Sequence, residues 1–368
     1  MGENLLPIDL GTNQYIKQIS GSCVLFQDGR IKCWGYGLEG ALGHGNTDNI
    51  GDDPGEMGNN LPYIDLGTER TAKMIASSGG SHACAILDND SVKCWGENEY
   101  GGLGYGHSNN IGDEPGEMGD NLPEVNLGTG RSAKYIEIGS QFTCVILDND
   151  SVKCWGKGGA GRLGQGSTAH IGDGPGEMGD NLPAIDLGTG RTAKKLSAHN
   201  YSVCAVLDND SVKCWGNGVS GGLGQGSTAH IGDGPGEMGD NLPAIDLGTG
   251  RTVKQIARGR DFTCAILDND SVKCWGVGER IGLGDGTVNI GDDPGEMGNN
   301  LPIVDLGTGL KAIQIYSRQW NTCAMFDNNL VKCWGGHVNY SEFGSGDTEV
   351  LGDDPGEMGD SLLPLDLW

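Results

Sequence analysis

The chain has 368 residues, and 50 Asp and Glu against 24 Lys and Arg give a formal net charge of −26. That balance excludes nucleic acid and anionic membrane surfaces as main partners, because phosphate binding needs clustered Lys and Arg. Gly is the commonest residue at 68, without a Gly-X-Y period, so many tight turns are expected, and no apolar run is long enough to insert into a membrane as a helix.

The opening stretch, MGENLLPIDLGTN, has neither the basic nor the apolar segment of a secretory signal. It carries instead the first of seven LPxxDL-like motifs: LPIDL, LPYIDL, LPEVNL, LPAIDL twice, LPIVDL and LPLDLW. Two further motifs keep a common beat with it. GDxPGEMG recurs at 51–58, 112–119, 172–179, 232–239, 291–298 and 352–359. A cysteine pair with Trp-Gly after its second member recurs six times: Cys23 and Cys33, Cys84 and Cys94, Cys144 and Cys154, Cys204 and Cys214, Cys264 and Cys274, and Cys323 and Cys333. Successive pairs begin 61, 60, 60, 60 and 59 residues apart. Such a period is the signature of stacked structural repeats, each unable to bury its apolar faces alone.

Within one repeat, 61–106, four short strands are predicted. LPYIDLG comes first, then AKMIASS, HACAILD and SVKCWG. Each is four to seven residues long, rich in Val, Ile and Leu and bounded by Gly, Asn and Asp. No helical apolar period persists for three turns. The fold class expected is all-β: a single domain over 1–368, a six-bladed β-propeller of four-stranded blades, with a seven-bladed ring or an open array with a partial blade as alternatives. Six blades use six LPxxDL strands, so the segment 1–12 is a surplus strand that closes the ring or pairs in trans with another copy. Head-to-tail pairing would build an open filament.

The hairpin turns Gln27-Asp28-Gly29, Asp88-Asn89-Asp90 and Asp327-Asn328-Asn329 end on residue types that tolerate a left-handed backbone. A type I turn closed by such a residue places Cys84 directly opposite Cys94. Opposed Cβ atoms lie about 4.5–5.5 Å apart and a disulfide needs about 3.5–4.5 Å, so a small pinch closes the bond. Each bond would contribute about 2–3 kcal/mol. Six disulfides imply an oxidising, extracellular or cell-surface location. The alternatives are free thiols packed as small apolar groups in a reducing cytosol, or a metal site, which lacks the further ligands zinc requires.

The GDxPGEMG loops offer Asp52, Asp53 and Glu56, and in later repeats Asp113 and Glu117, Asp173 and Glu177, Asp233 and Glu237, Asp292 and Glu296, and Asp353 and Glu357. Calcium takes carboxylate and carbonyl oxygens in loops of this kind. The competing reading is a purely structural loop, in which Asp caps backbone N–H groups, Pro fixes φ and Met fills a gap between blades. Asn89, Asn149, Asn209 and Asn269 head Asn-Asp-Ser triplets at exposed turns, and Asn200 and Asn339 head Asn-Tyr-Ser. These are N-glycosylation acceptors or simply favourable turn residues. No nucleophile–base set, phosphate loop or dinucleotide fingerprint occurs in its required context.

VKCWGENEYGGLGYG at 92–106, with HACAILDND before it, resembles the regulator of chromosome condensation repeat, in which a strand ends in Trp-Gly and runs into an Asn-x-x-Gly-x-Leu-Gly turn. The likeness extends over all six repeats. It implies a β-propeller, usually of seven blades. The chain departs in having six cores, longer repeats, paired cysteines and a second-strand His only at His82. The function expected is a non-enzymatic extracellular structural or assembly subunit that self-associates, possessing no cofactor except calcium if the loops bind it. The alternative is a propeller that binds one protein, as an exchange factor or an inhibitor, through the irregular segments GRDF at 259–262, SRQW at 317–320 and HVNYSEF at 337–343.

Overall fold

A computed structural model describes residues 7–336 and 349–365. These residues form six three-stranded antiparallel sheets in two compact units. One unit comprises Pro7–Gly159 and Ser167–Asp186. Its sheets are β1 (Ile16–Ser20), β2 (Cys23–Phe26) and β3 (Ile31–Cys33), then β4 (Ala72–Ser77), β5 (His82–Leu87) and β6 (Val92–Gly96), then β7 (Ala133–Gly139), β8 (Phe142–Leu147) and β9 (Val152–Gly156). The other unit comprises Ala160–Gly166 and the chain from Leu187 onward. It holds β10 (Ala193–His199), β11 (Ser202–Leu207), β12 (Val212–Gly216), β13 (Val253–Arg258), β14 (Phe262–Leu267) and β15 (Val272–Gly276). A one-turn helix, α1 (Gly278–Ile281), precedes β16 (Ala312–Ser317), β17 (Asn321–Phe326) and β18 (Val331–Gly335).

The hairpin has the predicted form. Cys84 lies opposite Cys94, and the same register holds in all six sheets. The third turn residue is left-handed, as at Asp90 (φ 66°) and Gly29 (φ 83°). Every cysteine is joined to the one it opposes. Cys23 is bonded to Cys33, Cys84 to Cys94, Cys144 to Cys154, Cys204 to Cys214, Cys264 to Cys274 and Cys323 to Cys333, with Cα atoms 4.0–4.1 Å apart. Free thiols and a thiolate metal site are thereby replaced by disulfides in every repeat. All residues of β5, β8, β11 and β14 are buried, on both faces of the strand. That pattern requires a neighbouring sheet on each side.

The fourth strand expected in each blade is absent among the described residues. The LPxxDL segment is extended but makes a single ladder-like bond, Ile64 N–H to Ile31 O at 2.9 Å. Val125, Ile185, Ile245, Val304 and Leu365 repeat it on Val92, Val152, Val212, Val272 and Val331. Proline supplies no N–H, so the ladder cannot extend. The bond also goes to the last strand of the preceding sheet, not to the sheet the segment leads into. Of the expected strand over 1–12, residues 1–6 lie outside the described residues and 7–12 form no strand. Ile8 is 60% exposed where its counterparts Ile64 and Val125 are buried.

A buried lysine holds this segment in place. Lys93 sits between Val92 and Cys94 on β6, and its ammonium donates to Leu66 O at 2.9 Å and Gly119 O at 2.8 Å. The first acceptor belongs to LPYIDL and the second to GEMG. Lys32, Lys153, Lys273 and Lys332 repeat both bonds, and Lys213 donates to Gly239 O. Burial lowers the ammonium pKa of Lys93, and Glu124, Asp120 and Asp65 counter it. The same node is tied twice more. Gly119 N–H donates to Asp65 O at 3.1 Å, and Thr68 gives its N–H and its hydroxyl to the two oxygens of Asp120. Gly119 has φ 71°, and a Cβ there would lie 2.5 Å from Asp65 Oδ2, so the last glycine of GEMG is required.

Neighbouring sheets pack through the Trp-Gly and Gly-x-Leu-Gly motifs. A Cβ on Gly43 would lie 2.7 Å from Trp95 Nε1 and 3.2 Å from the Met118 methyl; Gly104 meets Trp155 and Met178 in the same way, and Gly224 meets Trp275 and Met297. All three tryptophans are fully buried. A side-chain amide adds a rung between sheets. Gln18 Nε2 donates to Ile75 O at 2.8 Å, and its Oε1 accepts from Ile75 N–H at 3.1 Å. Gln255 and Ile315 repeat this pair in the other unit.

Replacing Lys93 by Met removes the donor from two buried carbonyls. The expected loss is about 2–4 kcal/mol, read as a lower urea midpoint with an unchanged slope. After thiol blocking, the intact protein should weigh twelve hydrogens less than the reduced chain and carry no blocking group, as its six disulfides require. Twelve blocked thiols would contradict the pairing.

Candidate functional site

The GDxPGEMG loops close on their own glutamate. Glu56 Oε2 accepts Gly51 N–H at 2.7 Å and Asp53 N–H at 3.1 Å. Glu117, Glu177, Glu237, Glu296 and Glu357 each accept the two equivalent donors. These backbone donors hold the Glu56 carboxyl below its usual range. Asp113, Asp292 and Asp353 are shifted upward, chiefly by burial. Among the described residues, no three or more His, Cys, Asp or Glu side chains are grouped to hold a metal ion. The paired bonds to each glutamate give the loop the geometry of a self-capped turn.

Asn89, Asn149, Asn209 and Asn269 are exposed at the hairpin tips. The Asn89 carbonyl accepts Ser91 N–H at 3.2 Å and Ser91 O–H at 2.8 Å, and Asn149, Asn209 and Asn269 repeat both bonds. Asn200 lies in the β10–β11 turn with φ 43°. Asn339 and the segment 337–343 lie outside the described residues.

The hairpin ends are neutralised repeat by repeat. Arg70, Arg131, Arg191 and Arg251 pair with Asp88, Asp148, Asp208 and Asp268 at 2.8–3.1 Å, and Arg30 pairs with Asp28. Half of the ten arginines are used in this way. The other five are Arg162, Arg258, Arg260, Arg280 and Arg318. All five belong to the unit that carries β10–β18. They lie toward the opposite ends of the strands, where each first strand turns into the second and each third strand leaves its sheet.

Hydrogen bonds join these turns. Arg260 N–H donates to Gln319 O at 3.1 Å, and Arg280 Nη1 donates to Arg260 O at 2.9 Å. The Arg162 guanidinium lies 4.6 Å from the Tyr201 ring centroid. Arg258 is buried and serves the interior: its guanidinium donates to Ser202 Oγ, Thr263 Oγ1 and Gly222 O. At the corresponding place in the other unit, His82 Nε2 pairs with Thr143 Oγ1 at 3.0 Å, and Thr143 donates to Gly102 O at 2.9 Å. Ser202 stands where His82 stands, and the arginine fills the volume that the smaller residue leaves. Arg260 and Arg318 are instead exposed in part or fully. His199 is held neutral, with its pKa at about 4, by burial and then by Arg258, Arg318 and Arg260, and its Nδ1 is buried without a hydrogen-bond partner. In the unit of β1–β9 the first-to-middle turns carry no charge, and acids stand where β3 and β6 leave their sheets. There Glu39 is raised by burial and by the charges of Glu97, Glu99 and Asp113.

The segments GRDF and SRQW thus come together as neighbouring turns. The lysine node and the split between the two classes of arginine were not apparent from the motifs. Sorting each cationic residue by its repeat position would have separated Arg260 and Arg318 from Arg70 and its equivalents.

Residues 76–101, 133–162 and 253–280 match the regulator of chromosome condensation (RCC1) repeat. The chain is 27% identical over 351 residues to the E3 ubiquitin-protein ligase HERC2 of Homo sapiens, covering 93% of this chain and 6% of the ligase. It is 26% identical over 286 residues to the ultraviolet-B receptor UVR8 of Arabidopsis thaliana, covering 75% of this chain and 56% of the receptor. Among solved structures, human WBSCR16 superposes with a TM-score of 0.66 at 15% identity, over 89% of this chain and 79% of that one. Prp20p of Saccharomyces cerevisiae, a protein with binding properties toward Gsp1p and histones, superposes with a TM-score of 0.63 at 15% identity, over 94% and 75%. The chain therefore spans a small part of the ligase and about half of the receptor, and its fold is a β-propeller of the RCC1 type.

His82 yields a pH prediction. Burial lowers its pKa to about 4 in the folded protein, against about 6.5 in the unfolded chain. The neutral ring favours folding above pH 6.5, and that contribution is lost as the pH falls toward 4. Unfolding free energy should decline over that window, by on the order of 3 kcal/mol for this residue. The decline should be shallower in His82→Gln, measured by urea unfolding at each pH.

Proposed function

We propose that the chain is a non-enzymatic, protein-binding propeller of an oxidising, extracellular compartment. One observation carries the reading: the repeats are uniform in their strands and differ in the turns between first and middle strand. Those turns are Gly21-Ser22, Ser78-Gly79-Gly80-Ser81, Ser140-Gln141, Asn200-Tyr201, Gly259-Arg260-Asp261 and Arg318-Gln319-Trp320. A rigid frame presenting dissimilar loops is the usual design for recognition, whereas a self-assembling scaffold requires only the uniform parts. Six disulfides support the compartment. The likeness to Prp20p supports a protein partner rather than a small substrate. Ligase activity is not carried over from HERC2, because the chain spans 6% of that protein.

Sedimentation velocity separates recognition from a head-to-tail scaffold. A recognition module should remain a single 38.4 kDa species from about 1 to 100 µM. Growth into larger species over that range would favour the scaffold and count against this function.

A further inference from the structure

The arginine-bearing turns identify the chemistry of a partner, an inference that rests on the protein-binding reading above. In a chain of net charge −26, five arginines stand at one end of one unit; Asp261 and Glu279 share their turns, and the acidic GDxPGEMG loops pack beside the third-strand exits, with Asp233 against Gly161 and Asp292 against Gly221, so the turns at 259–261 and 317–320 carry the exposed positive charge. The clustering is not a product of the repeat. The five arginines that the repeat does account for are paired with hairpin aspartates at the far ends of the strands.

Two of the five face solvent. Arg318 is exposed, and the Arg260 side chain is 41% exposed with only a 3.6 Å contact to Asp261. The turns that carry them are held together. Arg260 N–H bonds Gln319 O, and Gly259 approaches Arg318 so closely that a Cβ on it would lie 2.7 Å from Arg318 O. The two guanidinium groups therefore project from a fixed backbone. His199 behind them is kept neutral by burial first, and then by Arg258, Arg318 and Arg260. Tyr201 and Trp320 stand on the same turns, both half-buried, with the Arg162 guanidinium over the Tyr201 ring.

We propose that the turns at 199–201, 259–261 and 317–320 form a docking surface for a short acidic segment of a partner protein. A planar guanidinium matches a carboxylate with two parallel hydrogen bonds, which Lys cannot do. The length of the ligand follows from charge. Fields decay over about 8 Å at physiological ionic strength, so a few carboxylates placed on this end feel mainly the arginines. An extended polyanion such as DNA runs beyond them and meets the negative charge of the rest of the chain.

Fluorescence anisotropy tests this, using the full chain, a short labelled Asp/Glu-rich peptide, its Asn/Gln analogue and a short DNA duplex. The acidic peptide should bind, weaken with added salt, and outcompete both controls. Arg260→Glu with Arg318→Glu should lower its affinity by at least about tenfold, and Arg260→Gln with Arg318→Gln by less. Arg131→Glu with Lys194→Glu makes the same change in net charge at hairpin tips and should leave the affinity within about twofold of the parent. Near-UV circular dichroism verifies that each variant is folded. Equal peptide affinity in the parent and the Arg260 and Arg318 variants overturns the proposal, as does failure of the peptide to bind or preference for the duplex. Any of those results in a protein that stays monomeric leaves the protein-binding reading standing, whereas self-assembly would remove that reading whatever the peptide does.

Discussion

The structure depends on one buried ammonium group, repeated. Lys93 and its equivalents gather the three sequence motifs at a single point: the strand that carries Cys and Trp-Gly, the LPxxDL segment and the GEMG loop. A buried charge left alone would cost several kcal/mol. Here two backbone carbonyls accept from it, and the carboxylates of Glu124, Asp120 and Asp65 lie near enough to offset its desolvation. The carbonyls need the lysine as much as it needs them. Among the described residues Leu66 O accepts no backbone N–H, and Gly119 O accepts only a long bond from Leu122 N–H at 3.3 Å. The lysine therefore supplies the tie that a fourth-strand ladder would have supplied, and explains why Pro62 is tolerated there.

Around that node the sheets are joined by shape. Glycine in the Gly-x-Leu-Gly turn brings backbone against the next tryptophan, and the methionine of GEMG closes the remaining gap. The disulfides act inside each sheet, where the hairpin already opposes the two cysteines. They limit the unfolded chain more than they hold sheets to one another. Stacking depends instead on buried Trp, Leu and Ile and on amide rungs such as Gln18 with Ile75.

A frame built this way leaves the turns between first and middle strands unconstrained by the repeat. Their side chains take no part in the lysine node. On the strands that flank those turns, Ser202 of β11 stands where the larger His82 stands in the other unit, and Arg258 of the neighbouring sheet bonds it in the interior. Outside that interior, the same freedom places Arg260 and Arg318 in these turns of one unit, where the other unit has only Gly, Ser and Gln.

The β class, the six repeats, the hairpin turn and the opposition of Cys84 to Cys94 are legible in the order of residues alone. These are local properties, set by a period of two, by turn residues and by counting outward from Asn89. The same order marks GRDF and SRQW as departures from the repeat. That LPYIDL bridges two sheets instead of extending one follows from packing between distant repeats. Ile31, in the sheet before it, takes its one ladder-like bond, and Lys93, in the sheet after it, takes its last carbonyl. Those two contacts hold the extended segment between sheets instead of within one. Likewise, the contact of the Gly51 and Asp53 N–H groups with Glu56 Oε2 is set by the fold of the loop and is not legible in its residues. The meeting of the turns that carry Arg260 and Arg318 is of the same kind. They are far apart in the chain, and the stacking of β13 on β16 is what makes them one surface.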